Sequence, residues 1–228
     1  ELIGANLSGV NLIGANLSGT NLSNSNLSGA NLKDAILDNS KLYGADLTGI
    51  NLENASFKKV DINGAKFAGA YLVGVSFEDT DLRNANLQGI HMPGQNFKGL
   101  DLTGINLENS ILKDSNFENS NLTGANLDSA YLNSANFKNA NMANVSLSNT
   151  DLGGADLTNA NLDSAKIQNS FFKNAKMENV IINETITDSC FEQDLINRII
   201  CKIKLELNPD SPPYEQNYEF RDNYSLRN

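Results

Sequence analysis

Three carboxylates in the sequence have the residue type and spacing that could bind a cation or a basic partner. Asp61, Asp81 and Asp101 recur at intervals of 20 residues. If the fold brings them into one row, their like charges repel one another. A bound cation, a basic partner, or solvation by water and salt would relieve that repulsion. The sequence leaves all three alternatives open for this candidate acidic face.

The sequence lacks the residue arrangements that enzymes use. His91 is the single histidine, so a Ser-His-Asp triad would have to be built around it. Cys190 and Cys201 do not have the CxxC spacing of zinc or redox sites, and we interpret them as packing residues. The sequence contains no glycine-rich phosphate-binding motif. We predict that the chain is not an enzyme and uses no cofactor or metal.

The composition of the chain is acidic, with 27 acidic and 17 basic residues and a net charge of −10. Nucleic acids and anionic membranes attract basic surfaces, so we expect neither as a direct partner. No apolar run reaches the roughly 18–20 residues that span a bilayer. Two cysteines are too few for a disulfide scaffold, which favours a reducing compartment, and we expect a cytoplasmic protein. The chain begins in mid-repeat at Glu1 rather than at Met, so we expect that an N-terminal segment is missing.

A five-residue repeat organises most of the chain. Each unit reads small, polar, large apolar, any, then small or polar, as in Ala5-Asn6-Leu7-Ser8-Gly9, and the large apolar position recurs without a slip from Leu2 to Ile182. A large and a small residue two positions apart lie on the same side of an extended backbone, so the polar residue between them must point outward. The chain must turn once per unit, at the fifth position, where Gly, Asn, Asp and Ser are frequent.

Two side-chain patterns predict that four units make one coil. Coils stack about 4.8 Å apart, a distance at which aromatic rings pack and opposite charges attract. The first pattern, a predicted ladder of stacked rings, has a spacing of 20 residues and consists of Phe57, Phe77, Phe97, Phe117 and Phe137. The second alternates in charge at the same spacing and consists of Asp38, Lys58, Glu78, Lys98, Glu118 and Lys138.

Units such as Ala45-Asp46-Leu47-Thr48-Gly49 resemble the tandem A(N/D)LxG motif of the pentapeptide-repeat family. The resemblance covers residues 1–185. It implies an all-β fold, a right-handed quadrilateral β-helix, and at 20 residues per coil the chain would make about nine coils.

Two parts of the chain depart from the pattern. Residues 90–105 carry bulky side chains at the small position, which would widen a coil, bend the rod or form a recognition site. After the repeats, residues 186–207 predict a helix and then a short strand that cap the last coil, with a dimer contact as the alternative. Residues 208–228 contain three prolines and predict a flexible tail.

The best candidate for a partner surface is a set of aromatic and apolar residues at outward positions of the repeat, in steps of 20. Asp151 interrupts the set, and a run of exposed apolar groups is typical of a contact surface. This candidate partner stripe consists of Tyr71, His91, Ile111, Tyr131 and Phe171.

Two functional hypotheses follow. In the first, the rod is a rigid scaffold or structural module that binds a protein partner, and homodimers through an end or the C-terminal segment are possible. In the second, the chain mimics duplex DNA and inhibits or protects DNA gyrase or another DNA-handling enzyme, as some members of the resembled family do. Mimicry requires one continuous acidic face, whereas a scaffold requires an apolar patch.

Overall fold

The computed structural model describes residues 1–182, which form a four-sided β-helix. The predicted cap at 186–207 and the predicted tail at 208–228 lie outside the described residues. Parallel bridges join residues 20 apart, from Asn6 and Asn26 to Asn161 and Ile181, so one coil is 20 residues. We name the four sides by their outward residues: face A is 1, 21, 41 and so on, face B is 6, 26, 46, face C is 11, 31, 51, and face D is 16, 36, 56.

Residues 1–182 contain no helix and no continuous strand, because each side of a coil is too short for one. At Leu7 the ladder between coils consists of three backbone hydrogen bonds. The N–H groups of Leu7 and Gly9 donate to the next coil at 2.7 and 2.9 Å, and the N–H of Asn26 donates back to Ala5 at 2.9 Å. The sheet therefore runs along the rod axis and not along the chain.

A tight turn forms every corner of the coil. At the first corner, the N–H of Ala5 donates to the carbonyl of Leu2 at 3.1 Å, and Gly4 has a φ of +66°. A positive φ at the third of four residues is the signature of a type II turn. Every fifth residue from Gly4 to Asn179 has a φ between +54° and +74°, and Gly, Asn, Asp and Ser fill all of these corners except Lys59.

The core is a column of large apolar side chains, with a small residue beside each. The rings of Phe97, Phe117 and Phe137 are fully buried and stack with centroids 4.8 Å apart, which matches the rise of one coil. The pattern differs at Phe57, which packs edge-to-face on Phe77 at 5.8 Å. Phe77 and Phe97 make no ring contact in the described part of the chain.

The outward Asn and Asp residues are explained by a hydrogen bond within the repeat. The side-chain Oδ1 accepts the N–H two residues later, as Asn6 does from Ser8 at 3.2 Å and Asp151 from Gly153 at 2.9 Å. This N–H has no partner in the backbone ladder, and Asn and Asp side chains accept such bonds readily. The polar position of the repeat therefore satisfies a donor that the fold leaves free.

At two outward serines, Ser56 and Ser146, an Asp of the preceding coil takes over the role of the outward Asn. Asp128 accepts the N–H of Ser148 at 2.7 Å and the hydroxyl of Ser146 at 2.7 Å. Asp38 makes the same pair of bonds to Lys58 and Ser56, at 3.0 and 2.6 Å. An acidic residue 18 positions before an outward serine is the sequence signal for this exchange.

The exchange can be tested at Asp128. Asp128→Ala leaves the N–H of Ser148 without an acceptor, and we expect urea unfolding to show a loss of about 1 kcal/mol. Adding Ser146→Asn supplies an acceptor within the unit and should restore most of the loss. Asp163→Ala is the control, because the carboxylate of Asp163 makes no hydrogen bond or ion pair among the described residues. An equal loss in Asp128→Ala and Asp163→Ala would contradict the interpretation.

Candidate binding surface

The candidate partner stripe lies on face C, where consecutive coils bring its residues side by side. Tyr71, His91, Ile111 and Tyr131 are joined by parallel bridges, and Asp151 then separates Tyr131 from the last member of the stripe. The exposed fractions are 41% for Tyr71, 39% for Ile111, 55% for Tyr131 and 52% for Phe171. Four coils in succession therefore present an apolar or aromatic group to solvent.

Tyr71 and His91 form a stacked pair. Their ring centroids are 4.6 Å apart and the rings are inclined by 8°. His91 is half-buried by this stacking, and its Nδ1 has no hydrogen-bond partner among the described residues. The histidine thus belongs to the aromatic surface of face C.

The stripe is widened by the residues that follow it on face C. Val73 and Pro93 are half-buried and stand two positions after Tyr71 and His91. Further along, the ring of Phe171 lies close to Gly153, since a Cβ added at that glycine would be 3.6 Å from the ring. The apolar surface is therefore wider than the stripe itself at Tyr71 and His91.

The stripe residues do not make the hydrogen bond in which an outward Asn or Asp accepts the N–H two residues later. Tyr71, Ile111 and Tyr131 have no carboxylate or amide, and within residues 1–182 no acceptor reaches the N–H groups of Val73, Lys113 and Asn133. At the fourth site, Pro93 has no N–H to satisfy. The stripe is therefore a departure from the local rule of the repeat, repeated in four coils.

The candidate acidic face lies on face A, and each carboxylate is held by donors from its own unit. Asp61 accepts the backbone N–H and the side-chain amide of Asn63 at 3.1 and 2.8 Å. Asp81 forms a bidentate ion pair with Arg83, with distances of 2.9 and 2.6 Å. The expected row of three repelling charges is thus partly neutralised.

Hydrogen bonds favour the ionised form of Asp81 and Asp101. Hydrogen bonds from the Arg83 side chain and, to a smaller extent, from the Arg83 N–H lower the pKa of Asp81 to about 2. The Thr103 hydroxyl at 2.6 Å, and then the Thr103 N–H, lower the pKa of Asp101 below its ordinary value. Within residues 1–182, no three His, Cys, Asp or Glu side chains lie close enough together to bind a metal ion.

The alternating charges on face D pair in part. The Lys58 ammonium lies 2.6 Å from the Glu78 carboxylate, and the Lys98 ammonium lies 3.0 Å from the Glu118 carboxylate. Lys138 instead pairs with Asp156, at 3.3 Å. Face D therefore presents alternating positive and negative groups.

Sequence reasoning missed two features that shape these faces. The acceptor role of the outward Asn and Asp was not predicted, although the fixed two-residue spacing to the N–H could have indicated it. Asn ladders also run along the corners: Asn139 donates to Asn119 at 3.2 Å, and Asn159 donates to Asn139 at 3.0 Å. Their signal is the repeated Asn at 20-residue spacing.

Comparisons with known proteins agree with the repeat. The family described as "Pentapeptide repeats", in eight copies, matches residues 1–39, 35–72, 61–99 and 76–114. The family described as "Pentapeptide repeat region" matches residues 110–187. A search of curated proteins found no match. Within residues 1–182, no helix has the length and apolar character needed to cross a membrane.

Solved structures of repeat proteins are also similar. HetL, a pentapeptide repeat protein involved in heterocyst differentiation regulation from the cyanobacterium Nostoc sp. strain PCC 7120, is 23% identical, with 78% of this chain and 87% of HetL covered and a TM-score of 0.35. Full-length QnrB1, a plasmid-mediated fluoroquinolone resistance protein, is 16% identical, with 88% of this chain and 96% of QnrB1 covered and a TM-score of 0.35.

Proposed function

We propose that this chain, which belongs to the pentapeptide-repeat family, is a rigid, non-catalytic module that binds a protein partner through the stripe on face C. Membership of the family implies the right-handed sense of the coil. The observation that carries the proposal is the run of apolar and aromatic groups in consecutive coils, three of which, Tyr71, Ile111 and Tyr131, each cost the solenoid a hydrogen bond.

Folding alone does not account for the stripe. An outward Asn at position 71, 111 or 131 would accept the free N–H two residues later, a bond that contributes about 0.5–1.5 kcal/mol. Residues that break a local rule without a gain in stability are typical of functional sites. Tyrosine and other aromatic residues are enriched in protein interfaces, where they bury a large area with little loss of side-chain entropy.

The charges give less support to mimicry of nucleic acid. A mimic needs a continuous acidic face, but Arg83 pairs with Asp81 in the middle of the acidic row. Beyond Asp101, face A continues with Asn121 and Asn141, which are neutral. The alternating Lys and Glu of face D also leave little net charge there. Among the described faces, the apolar stripe is therefore the stronger candidate surface.

The proposal is tested by restoring the repeat's own residue in the stripe. We expect the double variant Tyr71→Asn, Tyr131→Asn to lose at least about tenfold in capture of the partner, because an interface centred on two aromatic groups loses its anchors. Tyr131→Asn alone should leave the free energy of unfolding unchanged or raise it by up to about 1 kcal/mol, because the new amide can accept the N–H of Asn133. Capture from a lysate is quantified by mass spectrometry, and stability by urea unfolding.

Ile36→Asn is the matched control, since Ile36 is 39% exposed at an outward position of face D. It removes an exposed apolar group from another side of the rod and should leave capture unchanged. Equal capture by the wild type and the stripe variant would contradict the proposal. So would micromolar inhibition of DNA gyrase supercoiling that is the same in both proteins, because that result favours mimicry.

A further inference from the structure

The ladder between coils is incomplete along one stretch of the rod. Every other site in residues 1–182 whose partners are described keeps its three backbone hydrogen bonds. The six large apolar residues from Phe57 to Leu82 would each have three such bonds, but only five bonds remain in total. Their donors are the N–H groups of Lys59, Gly69, Leu72, Asn84 and His91. We call this junction, between residues 57–82 and residues 76–103, the seam.

The remaining bonds are not spread evenly around the coil. On face C, Leu72 donates to His91 and His91 donates to Ala70, both at 3.1 Å, and the Tyr71 and His91 rings stack across the junction. All three bonds are missing at Ile62 on face A, opposite, and also at Phe77 on face D. Between residues 6 and 181, parallel bridges are also missing at four pairs: Asp61 with Asp81, Lys66 with Asn86, Ser76 with Asn96, and Asp81 with Asp101.

The packing of Phe57 accounts for the loss. A stacked pair of rings fits the rise of a coil, as the 4.8 Å between Phe117 and Phe137 shows. Phe57 instead packs edge-to-face on Phe77 at 5.8 Å and on Phe67 at 6.3 Å. An edge-to-face pair needs more room between centroids than one coil rise provides. The Phe57–Phe77 pair therefore holds its two coils too far apart for most of the backbone bonds on faces D, A and B.

We infer that the seam is a hinge. The stacks formed by residues 1–56 and 104–182 keep a complete ladder and move as rigid bodies. They tilt about the face C side, where Tyr71 and His91 stay together, and face A opens and closes. Regions with few backbone bonds open at lower free energy than the rest of a structure, and hinges form at such places. The tilt changes the curvature of face C, on which the stripe lies.

Distances between paired spin labels test the hinge. In a background with Cys190 and Cys201 replaced by serine, labels at Tyr43→Cys and Thr103→Cys span three coils across the seam on face A. Labels at Thr103→Cys and Asp163→Cys span three coils on the same face within the complete ladder. Labels at Glu53→Cys and Lys113→Cys cross the seam on face C. The Cα separation in each pair is roughly 14 Å, three coil rises.

We expect the first pair to give a distance distribution that is at least about twice as broad as those of the other two pairs, because face A is the opening side. Equal widths in all three pairs would overturn the hinge. A broad distribution for the face C pair would overturn the assignment of face C as its axis.

A second variant tests the cause. Phe57→Leu removes both edge-to-face contacts and introduces the side chain that most other sites of the repeat carry, so the fold is retained. In this variant, the face A pair should narrow to the width of the control pair. The amides of Ile62, Gly64 and Phe67 should also gain protection from hydrogen exchange. An unchanged width with unchanged exchange would overturn the role of Phe57.

Discussion

Replacing Phe117 with alanine should lower the free energy of unfolding by about 3–5 kcal/mol, the range for deleting a buried aromatic ring. The ring is fully buried and stacks on Phe97 and Phe137, with both centroid distances at 4.8 Å. Its neighbours are held in place by the complete backbone ladder of these coils, so they cannot collapse into the cavity. Urea unfolding followed by circular dichroism measures the loss.

Phe117→Leu is the control for this prediction. Leucine is the commonest residue at the large apolar position of the repeat, and a swap between large apolar residues usually costs less than about 1.5 kcal/mol. If alanine and leucine are equally tolerated, or if alanine costs less than about 1 kcal/mol, the stacked ladder is not a source of stability.

The stability of the rod should fall in acid through Asp156. Burial raises the pKa of this carboxyl group, but the Thr158 hydroxyl and N–H and the Lys138 ammonium outweigh burial and bring the pKa to about 2, from an ordinary value of 3.8. The Thr158 hydroxyl lies at 2.6 Å, and the Lys138 and Lys176 ammonium groups lie at 3.3 and 3.4 Å. The side chain is 15% exposed, so solvent screens these contacts only in part.

The direction of the pH dependence follows from the lowered pKa. The folded protein favours the ionised carboxylate. The stabilisation is therefore fully present above the pKa of this group in the unfolded chain, near 4, and is lost as the pH falls towards 2. The contribution of Asp156 is about 2 kcal/mol. Asp81 acts in the same direction, but it is well exposed and adds less.

Urea unfolding between pH 6 and pH 2 measures this effect. We expect Asp156→Asn to be less stable than the wild type at pH 6 and to have a flatter pH profile. Asp163→Asn is the matched control, because that carboxylate has no hydrogen bond or ion pair within residues 1–182, and its profile should follow the wild type. If the free energy of unfolding of Asp156→Asn falls with decreasing pH as steeply as that of the wild type, the assignment to Asp156 is wrong.

The stripe on face C and the charges on face A differed in how far the sequence could predict them. The outward position of Tyr71 and Tyr131 follows from the repeat register, and the structure has both side chains exposed. The row of Asp61, Asp81 and Asp101 was also placed on one side by its spacing. Its electrostatics could not be predicted, because the bidentate contact of Arg83 depends on the turn that brings its side chain back over Asp81.

The irregular region was predicted in part. The bulky residues of 90–105 indicated a widened or bent coil, yet Ile90 and Ile105 are fully buried and the ladder from Leu87 onward is complete. The break is on the other side of these residues, at the seam, where Asn96 and Asp101 lack their backbone bonds to the preceding coil and Phe57 packs edge-to-face on Phe77. Ring orientation depends on which neighbours share the core at one level, and the sequence does not give that information.

The sequence by itself determined the period, the inward and outward positions and the length of a coil, because a repeat must satisfy the same burial and the same corner in every unit. It also determined the residues of the corners, since a positive φ favours Gly and Asn. Tertiary structure alone decided which carboxylates are paired, which N–H groups on face C are left free and where the ladder opens. These features depend on contacts between coils, where distances of a few tenths of an ångström decide whether a hydrogen bond forms.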